Sequence, residues 1–186
     1  MHPRTAELLA HIDTHRAALD AAVADVPVEL RDRPPAPGQW SVAEVLEHLG
    51  IVEGRILGLF EAQTEALRNG AAPTESDTSS VLPMLDMERL VDRGNKFNAS
   101  EASRPRGLTA DAAMRALAAA RERLRAALIA ADGLPLGMAS APHPIFGTLD
   151  MYQWMIFVGG HEARHTAQIR EIARTLQSGA PGTDGP

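Results

Sequence analysis

Four stretches of this chain set apolar residues at alternating three- and four-residue steps, the spacing that gathers them on one face of an α-helix. In the first, from about Arg4 to Ala24, the stripe reads Leu8, Ile12, His15, Leu19 and Val23, and Pro27 stops it. The second opens at Trp40-Ser41-Val42-Ala43-Glu44. Ser41 is a good N-cap and Glu44, three residues on, completes a capping box. Val45, Leu49, Val52, Ile56, Leu59 and Phe60 supply its apolar face, and it runs to about Arg68, ending near Asn69-Gly70. Thr109 caps a third helix to about Ala131, with Met114, Leu117, Leu124 and Leu128 inward. Thr148 caps a fourth to about Gln177, whose stripe includes Trp154, Val158, Ile169, Ile172 and Leu176. A weaker helical stretch covers roughly Leu85 to Phe97.

Between these helices the chain is punctuated. Arg31 to Gly38, with Pro34, Pro35 and Pro37, reads as a stiff connector. Ala71 to Ser80 is polar and reads as a mobile surface loop. Arg104-Pro105-Arg106-Gly107 is a break, and Gly133 to Gly147, with Pro135, Pro142 and Pro144, reads as irregular. The tail SGAPGTDGP is expected to be disordered. There is no internal repeat and no strand-like alternation of any length. The pattern therefore predicts an all-α helical bundle, with residues 1–178 as one domain and 179–186 as a tail.

Composition narrows the chemistry. Of 186 residues, 45% are hydrophobic and only 4% aromatic, so aliphatic side chains must fill the core and helices must pack closely. The formal charge of −6 argues against nonspecific binding to nucleic acid or to anionic membranes. There is no cysteine, which excludes disulfides, thiolate metal sites and a cysteine nucleophile. The N-terminus lacks the apolar core of a signal peptide, and no run approaches the roughly 18 apolar residues that span a bilayer. A soluble, cytoplasmic protein is the expectation.

The stripe of the last helix carries its own anomaly. His161 and His165 sit in its middle, four residues apart and therefore only about 40° apart around the axis. This is the spacing with which a helix offers two imidazoles to one metal ion. A buried imidazole needs a hydrogen-bond partner or a metal, so two satisfied core histidines are the alternative. His48 lies beside Val45 and Val52 on the second helix. If the two helices are neighbours, the three imidazoles can converge, leaving positions open for water or substrate. Gly159-Gly160 directly precedes His161 inside the helix, where each glycine costs about 1 kcal/mol relative to alanine. Close approach of another helix, or room for a ligand, are the two compensations it suggests; simple tolerance inside a well-packed bundle is the alternative.

Trp40-Ser41-Val42 with His48-Leu49, then His143-Pro144-Ile145-Phe146-Gly147, then His161-xx-Arg164-His165-xx-Gln168-Ile169 together resemble the DinB-like (YfiT-type) superfamily, from about Pro27 to Ile172. The resemblance implies an antiparallel four-helix bundle, a divalent metal held by His48, His161 and His165, and a homodimer. Characterised members include thiol-dependent transferases and isomerases that use low-molecular-weight thiols such as bacillithiol or mycothiol; many members have no known reaction. The implied function is a metal-dependent enzyme, a transferase or hydrolase acting on a small-molecule substrate. Its nucleophile would be water or a cofactor thiol activated by zinc, nickel, iron or manganese. The other class is a non-catalytic bundle that binds a ligand or partner, its metal structural or absent.

His161-Glu162-Ala163-Arg164-His165 also fits the zinc-peptidase pattern H-E-x-x-H. Against it, Gln168 stands where the longer motif needs a glycine turn, and Glu171 lies too far along a straight helix to be the third ligand. Glu162 is rotated about 100° from His161 and reads as a solvated or helix-packing carboxylate. Further candidates around the site are Glu44 as acceptor for the spare N–H of His48, Arg55 and Arg164 as anion-binding groups, and Trp154 with Phe157 as pocket lining. His143 is expected to be structural. His2, His11 and His15 are assigned to the surface or to packing of the first helix.

Overall fold

The computed structural model describes residues 1–94 and 99–178. Its long elements are α1 (Pro3–Ala24), α2 (Val42–Asn69), α4 (Ala110–Ala130) and α5 (Met151–Ser178), with a short α3 (Met87–Val91) between α2 and α4. A hairpin of β1 (Ser140–His143) and β2 (Gly147–Asp150) precedes α5. The expected tail at 179–186, and the end of the weak helix at Phe97, lie outside the described residues.

The four long helices form a bundle. The α1/α5 and α2/α4 pairs pack most extensively, and α2 also lies along α5. Directions follow from the contacts. His11 reaches Ile156 and Gln177 reaches Asp25, so α1 and α5 run parallel. Gly50 lies against Leu117 and Arg68 against Ala130, so α2 and α4 are parallel too. The antiparallel contacts are α1 with α4, where Arg121 meets Ile12 and Arg16 meets Leu117, and α2 with α5. A parallel neighbour requires the chain to travel back along the bundle: α2, at 28 residues, is about 42 Å long. The segment between α2 and α4 makes that return. It places α3 on α5 and the turn Glu101–Ser103 on α2, across the α2/α5 groove.

The capping logic holds where the chain announces it. Ser41 and Glu44 form the reciprocal box at the start of α2, and Thr109 accepts from the Ala112 N–H at the start of α4. Thr148, expected to cap the last helix, lies in β2 instead. Asp150 does the capping: it takes the Gln153 N–H at 2.9 Å while Gln153 Oε1 takes the Asp150 N–H at 2.9 Å.

One other expectation is overturned. Gly133 to Gly147 is not wholly irregular, since Ser140–His143 pairs antiparallel with Gly147–Asp150. Both strands of a hairpin are edges, where Pro142 can do without an N–H, and the short run carries no clear alternation to read. Ala71 to Ser80 has no regular structure but is tied down. Arg4 donates to the Ser79 carbonyl and to Glu75, Glu75 N–H donates to the Gly133 carbonyl at 2.8 Å, and Tyr152 O–H donates to Glu75 at 2.7 Å. Burial and the Glu75 carboxylate push the Tyr152 hydroxyl up to about 12.

The core falls into two apolar compartments. One gathers Leu8, Ile12, Ile56, Phe60, Leu124, Leu128 and Val158; the other gathers Leu19, Val23, Val45, Leu49, Leu117, Ile169 and Ile172. The apolar stripes were placed correctly by their spacing. What separates the two compartments is polar.

Candidate metal centre

Each of the four long helices interrupts its apolar stripe with one charged residue at this level. Arg16 lies between Ile12 and Leu19, Glu53 between Leu49 and Ile56, Arg121 between Leu117 and Leu124, and Glu162 one turn after Val158. The four meet inside the bundle. Arg121 donates to both Glu53 oxygens at 2.8 and 3.1 Å and to the Ile12 carbonyl at 2.7 Å. Arg16 donates to Glu162 Oε1 at 2.7 Å and to Glu53 Oε2 at 3.2 Å. Glu162 Oε2 lies 2.9 Å from Arg121 Nη2. Glu162 is 1% exposed, so its solvated reading is corrected: it closes a two-plus, two-minus quartet. Burial raises its carboxyl, opposed by Arg121 and Arg16.

The histidines stand beside this layer. A cavity of about 10 Å³ separates them from it, bordered by His161, Val158, Glu53 and Glu162 and large enough for about one water molecule. His48 from α2 meets His161 and His165 from α5 because these helices are neighbours. Their donor atoms all lie within 4.8 Å of one another. His161 Nε2 is 3.3 Å from His48 Nε2 and 3.1 Å from His165 Nε2.

The far nitrogens define the protonation. His48 Nδ1 lies 2.7 Å from the Ser103 carbonyl, which can only accept, so that nitrogen carries the proton. His165 Nδ1 lies 2.8 Å from Gln168 Oε1 and is a donor in the same way. Both rings therefore turn a bare Nε2 lone pair toward His161. One proton on His161 could satisfy one of them and not both. A single cation at the centre would satisfy all three, so the donor set fits a divalent transition metal. Burial keeps the three rings neutral, as ligation requires. It lowers His48, drives His161 well below its ordinary value with help from His165 and His48, and brings His165 to about 3.

The surroundings are aromatic. Phe157 stacks on His161 at 5.2 Å with 16° between planes, and Trp40 lies 5.0 Å from His48. Trp154 packs against Phe157 and His143 and donates its indole N–H to the Ala141 carbonyl at 3.4 Å, one ring removed from the histidines. His143 is not among the converging donors. Its Nδ1 accepts the N–H groups of Ile145 and Phe146, fixing the hairpin turn, and burial lowers it to about 4.

The polar candidates fall elsewhere. Glu44 spends its carboxylate on the capping box, and His48 bonds Ser103 instead. Arg55 is exposed and donates to the Ala102 carbonyl at 3.4 Å, holding the returning segment on α2. Arg164 is buried and donates to the Leu90 and Asp92 carbonyls, tying α3 to α5. Ser103, acting through its backbone, gave no signal in the sequence. The quartet did: four charges on apolar stripes mark a polar layer.

Gly159 and Gly160 are explained by close approach. A β-carbon on Gly159 would come within 3.0 Å of the His11 and His15 rings, and one on Gly160 would collide with Leu90.

A four-helix bundle with a buried three-histidine cluster between two of its helices defines the class: a helical protein with a candidate metal centre. Residues 11–169 match the DinB superfamily, and the chain belongs to it. It is 27% identical over 151 residues to the uncharacterized protein YuaE of Bacillus subtilis (strain 168), covering 80% of this chain and 86% of that one. The crystal structure of TT2238, a four-helix bundle protein, superposes with a TM-score of 0.54 at 22% identity, covering 90% of this chain and 98% of that one. This last likeness concerns the fold. Among the described residues no helix is long and apolar enough to cross a membrane.

Proposed function

We propose that this protein is a metal-dependent enzyme whose divalent transition metal is held by His48, His161 and His165. The observation that supports it is the pair of Nδ1 donors, on His48 and His165, that leaves two Nε2 lone pairs aimed at a third imidazole. Without a metal, one proton on His161 can satisfy only one of those two lone pairs. When bound, a metal with three neutral ligands and open positions activates water, or the thiol of a small cofactor, at neutral pH. The chain's own residues hold the rings: Ser103 and Gln168 bond the outer two, and Phe157 stacks on His161, which stays partly exposed. With no cysteine in the chain, a thiol-dependent transfer would draw its thiol from the cofactor; hydrolysis would draw on water. The substrate is a small molecule and the protein a homodimer in this reading.

The test is elemental analysis of tag-free protein purified without chelator, beside His161→Ala. About one equivalent of metal, lost in the variant, supports the site and justifies assaying thiols against electrophiles. Absence of metal, with no uptake of zinc, nickel, iron or manganese, would make the three histidines core residues of a binding module.

A further inference from the structure

Both outer histidines of the cluster are anchored from beyond the ligands, and one anchor is adjustable. Gln168 lies one turn after His165 on α5, where the helix brings side chains at i and i+3 together. Its amide could turn either oxygen or nitrogen toward the imidazole, and the two choices demand opposite tautomers of His165. Arg93, on the segment returning from α2 to α4, makes the choice. Its Nη1 lies 3.4 Å from the same Gln168 Oε1 that His165 uses. A guanidinium only donates, so it favours the oxygen-inward amide. Glu171 holds Arg93 in turn, taking Nε at 3.0 Å and Nη2 at 2.7 Å in a two-pronged pair.

We propose that Gln168 and Arg93 are positioning residues for the metal: Arg93 orients the Gln168 amide, and Gln168 holds His165 in the tautomer whose Nε2 is free to ligate. The inference rests on the metal reading above. A competing role is purely mechanical, with Arg93, Gln168 and Glu171 fastening the returning segment to α5. That role would change unfolding temperature and leave metal affinity alone.

The experiment measures zinc Kd by chelator competition on the full chain, with thermal unfolding of each metal-free protein alongside. Gln168→Leu removes the acceptor and is expected to weaken zinc by about 10–100-fold. Gln168→Glu, which can only accept, is expected to bind zinc at least as tightly as the parent. Arg93→Met, which keeps the apolar stem and removes the guanidinium, is expected to weaken zinc by about 3–10-fold, a smaller loss because the amide can still find its orientation unaided. A carboxylate needs no orienting, so adding Arg93→Met to Gln168→Glu should cost nothing further. If the parent binds zinc and Gln168→Leu and Arg93→Met both bind it within twofold of the parent, the positioning role is wrong while the metal site stands. An equal loss from Arg93→Met in both backgrounds would overturn the orienting role of Arg93. A parent that takes up no zinc removes the metal reading itself.

Discussion

His161 Nε2 lies 3.1 Å from His165 Nε2, within hydrogen-bond range, although Gln168 Oε1 draws the His165 proton to the opposite side of its ring. With His48 arranged alike, the cluster brings three acceptor nitrogens together with at most one proton between them. Metal-free protein should therefore be stabilised by zinc, by about 2.7 kcal/mol when free zinc is a hundredfold above Kd. His161→Leu replaces one of the crowded nitrogens with apolar volume. We expect that variant to unfold no earlier than the metal-free parent and to show no rise on adding zinc. Calorimetry with and without zinc reads both; an undiminished zinc shift in His161→Leu would mean that His161 is not a ligand.

The charged quartet makes the opposite kind of prediction. Arg121 is 3% exposed and bonds Glu53, the Ile12 carbonyl and, by charge, Glu162. Arg121→Met leaves two buried carboxylates with Arg16 as their remaining cation. The loss should be about 3–5 kcal/mol, the cost of an uncompensated buried charge. Urea denaturation checks it. Replacing all four charges together with apolar residues of similar volume should cost far less than Arg121→Met alone, because the desolvation penalty goes with the charges.

Much of this architecture is legible in the residues. The stripes on α1, α2, α4 and α5, the Ser41 box and the Thr109 cap are local features, set by spacing and by one side chain bonding its own backbone. The three histidines were legible for the same reason, since each stands where an aliphatic residue belongs. What was not legible depends on the returning segment. Its support of His48 comes from a backbone carbonyl at Ser103, which any residue could provide, and part of its hold on α5 comes from Arg93, which reads as an ordinary surface charge. The hairpin hid behind Pro142 and Pro144, and the pinned loop at 71–80 depends on Arg4 and Tyr152 from distant helices. For Glu162 the angle left solvated and helix-packing readings open, because an angle on one helix says what it turns away from, not that Arg16 and Arg121 wait on two others.

Gly159 offers a test of close packing. Alanine would add about 1 kcal/mol of helix propensity in isolation. Here its β-carbon falls on the rings of His11 and His15, and His11 is held by the Ile156 carbonyl at 3.0 Å. Moving the ring aside breaks that bond and disturbs the α1/α5 seam, so Gly159→Ala should be net destabilising by about 1–3 kcal/mol. In a His11→Ala background the obstacle shrinks, and the same Gly159→Ala change should cost clearly less. Equal effects in the two backgrounds, from denaturation midpoints, would show that His11 is not what the glycine accommodates.

Buried neutral histidines make the metal-free fold sensitive to acid. His143 is brought to about 4 and His165 to about 3, both chiefly by burial, with His48 adding to the effect on His165. In the unfolded chain each titrates near 6.5. Between those values the unfolded state binds protons that the folded state refuses, so stability falls as pH drops below about 6.5. The slope approaches about 1.4 kcal/mol per pH unit for each such histidine. Above about pH 5 ordinary carboxylates contribute little, which isolates the effect. His143→Asn supplies an oxygen to accept the Ile145 and Phe146 N–H groups but has nothing to protonate. We expect urea midpoints of the metal-free parent to fall from pH 7 to 5, as charging of the unfolded state requires. The variant should fall less steeply over the same range. A parent whose midpoint holds level through that window would show that these imidazoles titrate in the fold as they do in water.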